Sequence, residues 1–188
     1  MNSIKIKISN ILKIKKHQYF NSTIENYKEI NKILQRKIKT TMLAAMMHNS
    51  SEVLMIIDNS TFNHRITTSN DMNNVTIPEY IVNIITDVST DTTFTMIHNH
   101  PDNSGFSIMD LRTFINRDKI AYIFVCTNDC RIIAVLGKNN INQETKFKML
   151  NTINKYMIIN NYNEHSPAIE LIEFFEQKGL LYAAYKNY

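Results

Sequence analysis

Four apolar runs of strand length constrain this chain more than any other feature. "EVLMIID", "TTFTMIHNH", "KIAYIFVCT" and "RIIAVLG" are rich in Ile, Val, Phe and Thr and short for helices. Between and around them, other stretches carry their apolar residues at helical spacing. A chain patterned this way is expected to be mixed α/β, a β-sheet flanked by helices. Only three Gly and three Pro occur, so turn formation falls to Asn, Ser, Thr and Asp.

Walking along the chain places the elements. Ile4, Ile6 and Ile8 alternate with Lys5 and Lys7, the period of a half-buried strand. Ser22 and Glu25 form a capping box, and Ile24, Tyr27, Ile30, Leu34 and Ile38 follow at helical spacing. "EVLMIID" and the stretch from Phe62 to Thr68 read as a hairpin, and "SNDMNN" as a loop. Thr76 and Glu79 bracket Pro78 at the start of a helix through Tyr80, Ile81, Ile84 and Ile85. Ser107 caps a helix through Leu111, Phe114 and Ile115, and Asn128-Asp129 turns the last two runs into a hairpin. The tail reads as helical, near 143 to 160 and again after Ser166 as cap with Pro167 in the first turn, stopping at Gly179. With no repeat and no linker, residues 1–188 are expected to form a single domain. Its parts are a basic N-terminal strand/helix extension (1–39), a core (40–137) and a C-terminal helical extension (138–188).

Composition bounds the function class. With 44% hydrophobic and 20% charged residues among 188, the chain is globular. No apolar run approaches the roughly 18 residues of a spanning helix. "MNSIKIKISNILKIKK" lacks the apolar centre of a signal peptide, and two cysteines make no disulfide framework. The expectation is a cytoplasmic protein without membrane contact, with secretion as an effector or toxin left open. Residues 1–39 hold ten Lys/Arg against two Glu. Such an arm can meet nucleic acid, although a solvated strand and helix face accounts for the same charge and no RNA-binding signature accompanies it.

The chemistry concentrates in "HNHPDNSGFSIMD", His98 to Asp110. In a strand His98 and His100 present both imidazoles to one face, with Asn99 turned away. Pro101 then ends the ladder. Ser107 at the helix cap puts Asp110 in the first turn, where a carboxylate meets the positive end of the helix and can reach back toward the histidines. Two imidazoles and one carboxylate leave a tetrahedral ion one open position, the arrangement of catalytic zinc. Taken separately, His-x-His arises by chance and Ser-x-x-Asp is an ordinary cap. Glu52, at the start of "EVLMIID", offers the base that a metal hydrolase also needs.

Glu at a strand start, then His-x-His-Pro, then Ser-x-x-Asp resembles the JAMM (MPN+) zinc metallopeptidase family. "IHNHP" looks most like its bacterial and phage, RadC-like, branches. The resemblance spans roughly residues 40–137. It implies a JAMM/MPN-like, cytidine-deaminase-like mixed sheet, here with extra C-terminal helices. It also implies a zinc-dependent metallopeptidase or isopeptidase acting on a protein or peptide substrate. His98, His100 and Asp110 become zinc ligands, Glu52 the general acid/base, and Ser107 a donor to the oxyanion. The six residues between His100 and Ser107 are one fewer than the family's usual pattern, and Gly105 is expected to absorb the shorter path. Ser104 is a weaker alternative for the serine role. The competing reading is a catalytically silent or DNA-associated module of the same fold, from a phage, mobile element or toxin system.

Other residues have blander expectations. Cys126 and Cys130 read as small core residues. They do not form Pro-Cys-x-x-Cys, and His98 is not followed by x-Glu, which disfavours deaminase chemistry. His48 and His64 read as surface histidines, the Met residues of "TMLAAMM" as core filler, and Asp58 and Asp102 as supporting or turn residues.

Overall fold

A computed structural model describes residues 5–7, 9, 11, 27–68, 77–87, 89–102, 104–130, 132–138 and 141–187. Its strands are β1 (Val53–Asp58), β2 (His64–Thr68), β3 (Phe94–His100), β4 (Ile120–Thr127), β5 (Ile132–Lys138) and β6 (Leu181–Asn187). They form one sheet in the order β2-β1-β3-β4-β5-β6. The helices among the described residues are α1 (Tyr27–Met47), α2 (Glu79–Thr86), α3 (Ile108–Asn116), α4 (Gln143–Asn160) and α5 (Ile169–Gln177). Among the described residues the fold is therefore mixed α/β, with these five helices flanking a six-stranded mixed sheet. Among these described strands only β3 and β4 pair in parallel, because α3 carries the chain over the sheet between them.

The strands read as nearly continuous apolar runs because both faces of the sheet are covered. On one face α1 lays Leu34, Ile38, Met42 and Ala45 onto Val53, Met55, Ile57, Ile97, Phe124 and Val135. These helix positions recur every three or four residues, one stripe of a 3.6-residue period. On the other face Ile81 and Ile85 of α2 join Leu111, Phe114 and Ile115 of α3, Met149 and Ile153 of α4, and Phe175 of α5. They cover Leu54, Ile56, Met96, Ile123, Val125 and Leu136. Replacing fully buried Leu111 or Phe114 by Ala would cost about 2–5 kcal/mol.

Several expectations need correcting. The tail after Gly179 is not helical to its end: β6 adds a strand beside β5. Gly179 ends α5 with φ +68°, and Gly137 receives the new strand. A Cβ on Gly137 would lie 2.9 Å from the Tyr122 ring and 3.7 Å from that of Tyr182, its partners on either side. Helix α5 starts at Ile169 after an uncapped Ala168, so Ser166 is not its cap. Pro78 stands at the start of α2 as expected, in its cap position. Of the N-terminal alternation, Ile6 is buried and Lys5 and Lys7 are exposed, but residues 5–7 join no strand. Ile4, Ile8, the Ser22–Glu25 capping box, Ile24, the 69–75 loop and Thr76 lie outside the described residues.

Candidate metal centre

The site is built where β3 ends. All seven residues of β3 are buried, so its last three, His98, Asn99 and His100, alternate between two covered faces. Both imidazoles face α3, with ring centroids 4.8 Å apart and planes inclined by 60°. Their Nε2 atoms stand 3.0 Å apart. Asp110 arrives from the first turn of α3, held by a reciprocal capping box. Its backbone N–H donates to Ser107 Oγ, and the Ser107 backbone N–H donates to Asp110 Oδ2. Oδ1 then lies 3.1 Å from His98 Nε2 and Oδ2 3.4 Å from His100 Nε2.

These separations fit a shared cation. Ligands about 2.0–2.1 Å from a tetrahedral ion stand about 3.3 Å from one another, and the three atom pairs here measure 3.0, 3.1 and 3.4 Å. Protons serve only part of the set. With an N–H on each ring aimed at Asp110, the two nitrogens still face each other with no proton between them. Two imidazole nitrogens and a carboxylate oxygen are also the donor types that zinc takes.

Glu52 reaches the same point from the position just before β1. β1 and β3 are antiparallel with Leu54 opposite His98, and continuing that register sets Glu52 opposite His100. Residues opposite each other share a face. The ligand atoms of Glu52, His98 and His100 accordingly lie within 4.8 Å of one another, and all three residues are buried. The antiparallel pairing therefore brings residues far apart in sequence to one end of the sheet.

Electrostatics follow from that crowding. Burial alone lowers the pKa of His100. The hydrogen bond and charge of Asp110, with the charges of Glu52 and Asp102, overcome it and raise the value to about 9. Burial pushes Asp110 up, but the charges and hydrogen bonds of both histidines hold its carboxyl well below the usual range. The two rings are oriented differently. His100 Nδ1 lies 2.9 Å from Ser104 Oγ, and that hydroxyl donates to Asp102 Oδ1 at 2.7 Å. In a neutral His100 this order of donors puts the hydrogen on Nδ1 and leaves the Nε2 lone pair facing inward. His98 Nδ1 is buried without a hydrogen-bond partner, so that ring is held by packing and by its Nε2 contacts with Asp110 and His100.

The C-terminal extension braces the helix that carries Asp110. Ile108 N–H donates to Ser166 O and Met109 N–H to Glu164 O, while Ala168 N–H donates back to Phe106 O. The first N–H groups of a helix lack intrahelical partners, and here residues of the 164–168 segment accept two of them. Arg112 and Glu164 add an ion pair at 3.1 Å. The carbonyl of Ser166 serves α3, and its hydroxyl accepts from Asn163 N–H.

Each singled-out residue now has a place. The structure brings His98, His100, Asp110 and Glu52 together. The Ser107 hydroxyl donates to Asp110 Oδ2 at 2.7 Å, so it supports the carboxylate directly. Gly105 has no positive φ and open space where a Cβ would stand, so the shorter loop does not depend on glycine. Asp58 sits at the other end of β1, accepting from Ser60 and Thr61 in the β1–β2 turn, and plays no part in the site. Cys126 and Cys130 are buried core residues, and burial pushes the Cys130 thiol up to about 12. His48 and His64 are exposed, the latter paired with Lys37. Of the Met residues, Met42 is core while Met47 is exposed. A cavity of about 680 Å³ is lined by Ile56, Asp58, His64, Arg65, Ile81 and Phe94, at the end of β1 away from His98 and His100. Sequence reading missed the partnership of Ser104 with His100 and the bonds made by Asn99. The usable signal was an amide-bearing residue at a position buried in the sheet.

No protein-family model, curated protein or solved structure matches the chain.

Proposed function

We propose that this protein is a zinc-dependent hydrolase of the JAMM type, cleaving a peptide or isopeptide bond. The observation that carries the reading is the convergence of His98, His100 and Asp110 at 3.0–3.4 Å, with the Glu52 carboxylate beside them. His98, His100 and Asp110 would hold the ion. Bound there, zinc supplies Lewis acidity, polarising a carbonyl and lowering the pKa of water. Glu52 takes the proton from the attacking water and delivers it to the leaving amine, the two halves of general acid/base catalysis. Ser107 first steadies Asp110, and its hydroxyl serves an oxyanion only after rotating away from that carboxylate. The mixed sheet with α3 crossing between two parallel strands supports a JAMM-like fold.

The competing reading is a metal-free module in which protonated His100 pairs with Asp110, favoured by the raised pKa of His100. Elemental analysis of protein purified without chelator separates the two. The expected result is about one zinc per chain. Glu52→Gln is expected to keep the metal and to lose cleavage of linear-peptide and isopeptide-linked reporters. Wild-type protein that takes up no zinc at micromolar concentration would overturn the reading.

A further inference from the structure

The residue between the histidines points away from the metal side, yet it is completely buried. Its carboxamide makes three hydrogen bonds. Asn99 Oδ1 accepts from Val53 N–H at 2.8 Å, and Nδ2 donates to Ser51 O at 3.1 Å and to Asn128 Oδ1 at 2.7 Å. Asn128, also fully buried, donates in turn to Ser50 O at 2.9 Å. Val53 and Ser51 are the two neighbours of Glu52. One side chain therefore grips the backbone on both sides of the proposed acid/base.

The chemistry explains the residue type. The β1–β3 ladder ends at the Leu54–His98 pair. Beyond it, the Asn99 carboxamide offers one acceptor and two donors, enough to stand in for a peptide group of the next strand position. The amide orientation is forced, because the Val53 N–H needs an acceptor and the two carbonyls need donors. Aspartate lacks the donors, leucine lacks both kinds, and serine cannot span the two backbone groups while also meeting Asn128.

We infer that Asn99, supported by Asn128, is the positioning residue for Glu52: it fixes the 50–53 segment from the back of the sheet so that the carboxylate stands over the histidines at the front. The inference rests on the proposed metal site for its functional meaning, and on the three hydrogen bonds alone for its structural meaning.

Cobalt(II) substitution together with amide exchange tests both. Wild type, Asn99→Ala, Glu52→Gln and the double variant are titrated with Co²⁺, and exchange is followed at Val53, Met55 and Ile57. In Asn99→Ala, Co²⁺ affinity is expected to stay within about threefold of wild type, because all three ligands remain. Its visible absorption band is expected to move to that of Glu52→Gln, with the double variant adding nothing. Exchange at Val53 is expected to rise about tenfold, the loss of one hydrogen bond, while Met55 and Ile57 keep wild-type rates. A wild-type band with wild-type Val53 exchange overturns the inference. If Asn99→Ala does not fold, Asn128→Ala decides, with smaller changes of the same sign expected and wild-type values overturning it. Wild-type protein that binds no Co²⁺ would sink the metal reading instead, and Val53 exchange would still decide whether Asn99 holds the segment.

Discussion

The two faces of β3 at its last three residues solve opposite problems within one turn of the pleat. On the front, two imidazoles and a carboxylate crowd to within 3.0–3.4 Å, an arrangement that protons satisfy only in part. On the back, Asn99 and Asn128 are neutral, and each bond that Asn99 can donate has its acceptor. The front is poised for something to be added, and the back is complete. A strand's period of two allows this, since neighbouring residues share a backbone position but not an environment. The rigidity of a site can therefore come from the residue between its two histidines.

Breaking the front has the largest expected effect. His98→Ala should lower zinc affinity by more than the roughly 10–100-fold typical of losing an outer partner, measured by chelator competition. Breaking the back comes next, and in a different quantity. Asn99→Leu strands the Val53 N–H and the Ser51 carbonyl, each worth about 1–3 kcal/mol when buried without a partner, so urea unfolding should report about 2–6 kcal/mol lost. A midpoint within experimental error of wild type would show that the back network carries no stability.

Acidity separates the faces without mutation. His100 has its pKa raised from 6.5 to about 9 in the metal-free fold. A raised pKa contributes stability that is fully present below pH 6.5 and is lost as pH climbs through about 9. Metal-free protein should therefore lose stability from pH 6.5 to 9, whereas zinc-loaded protein should gain relative to it, because binding requires neutral imidazoles. Parallel thermal melts with and without zinc check this, and a flat metal-free profile would contradict the His100–Asp110 pairing. The smallest effect sharpens the contrast between the two rings. Ser104→Ala frees His100 Nδ1 and should weaken zinc binding by about 10–100-fold, leaving the urea midpoint of metal-free protein nearly unchanged.

Much of this architecture was legible because local pattern and tertiary demand agree. Ser107 reads as a cap and forms one, and the four apolar runs became β1, β3, β4 and β5. The histidine pair and Asp110 were legible for the same reason, since strand period and helix capping are local rules. What escaped depends on partners distant in sequence. Ser166 looks like a cap, but its environment is α3, and the carbonyl went there. β6 was hidden because a short run after Gly179 becomes a strand only beside β5. Asn99 showed locally only an amide at a buried strand position, and its role depends on the distant partners Ser51, Val53 and Asn128.

The brace between residues 164–168 and the start of α3 also sets an order of events in the life of the chain. During synthesis the histidines and Asp110 emerge well before Glu164 and Ser166, whose carbonyls close the free end of α3. Until that segment arrives, the turn bearing Asp110 has only its own capping box to hold it. Chains grow from the N-terminus at about 5–20 residues per second, so for several seconds a nascent molecule carries its histidines before the 164–168 segment can brace Asp110 beside them. On the proposed metal reading, a half-made chain would then be a poor trap for metal.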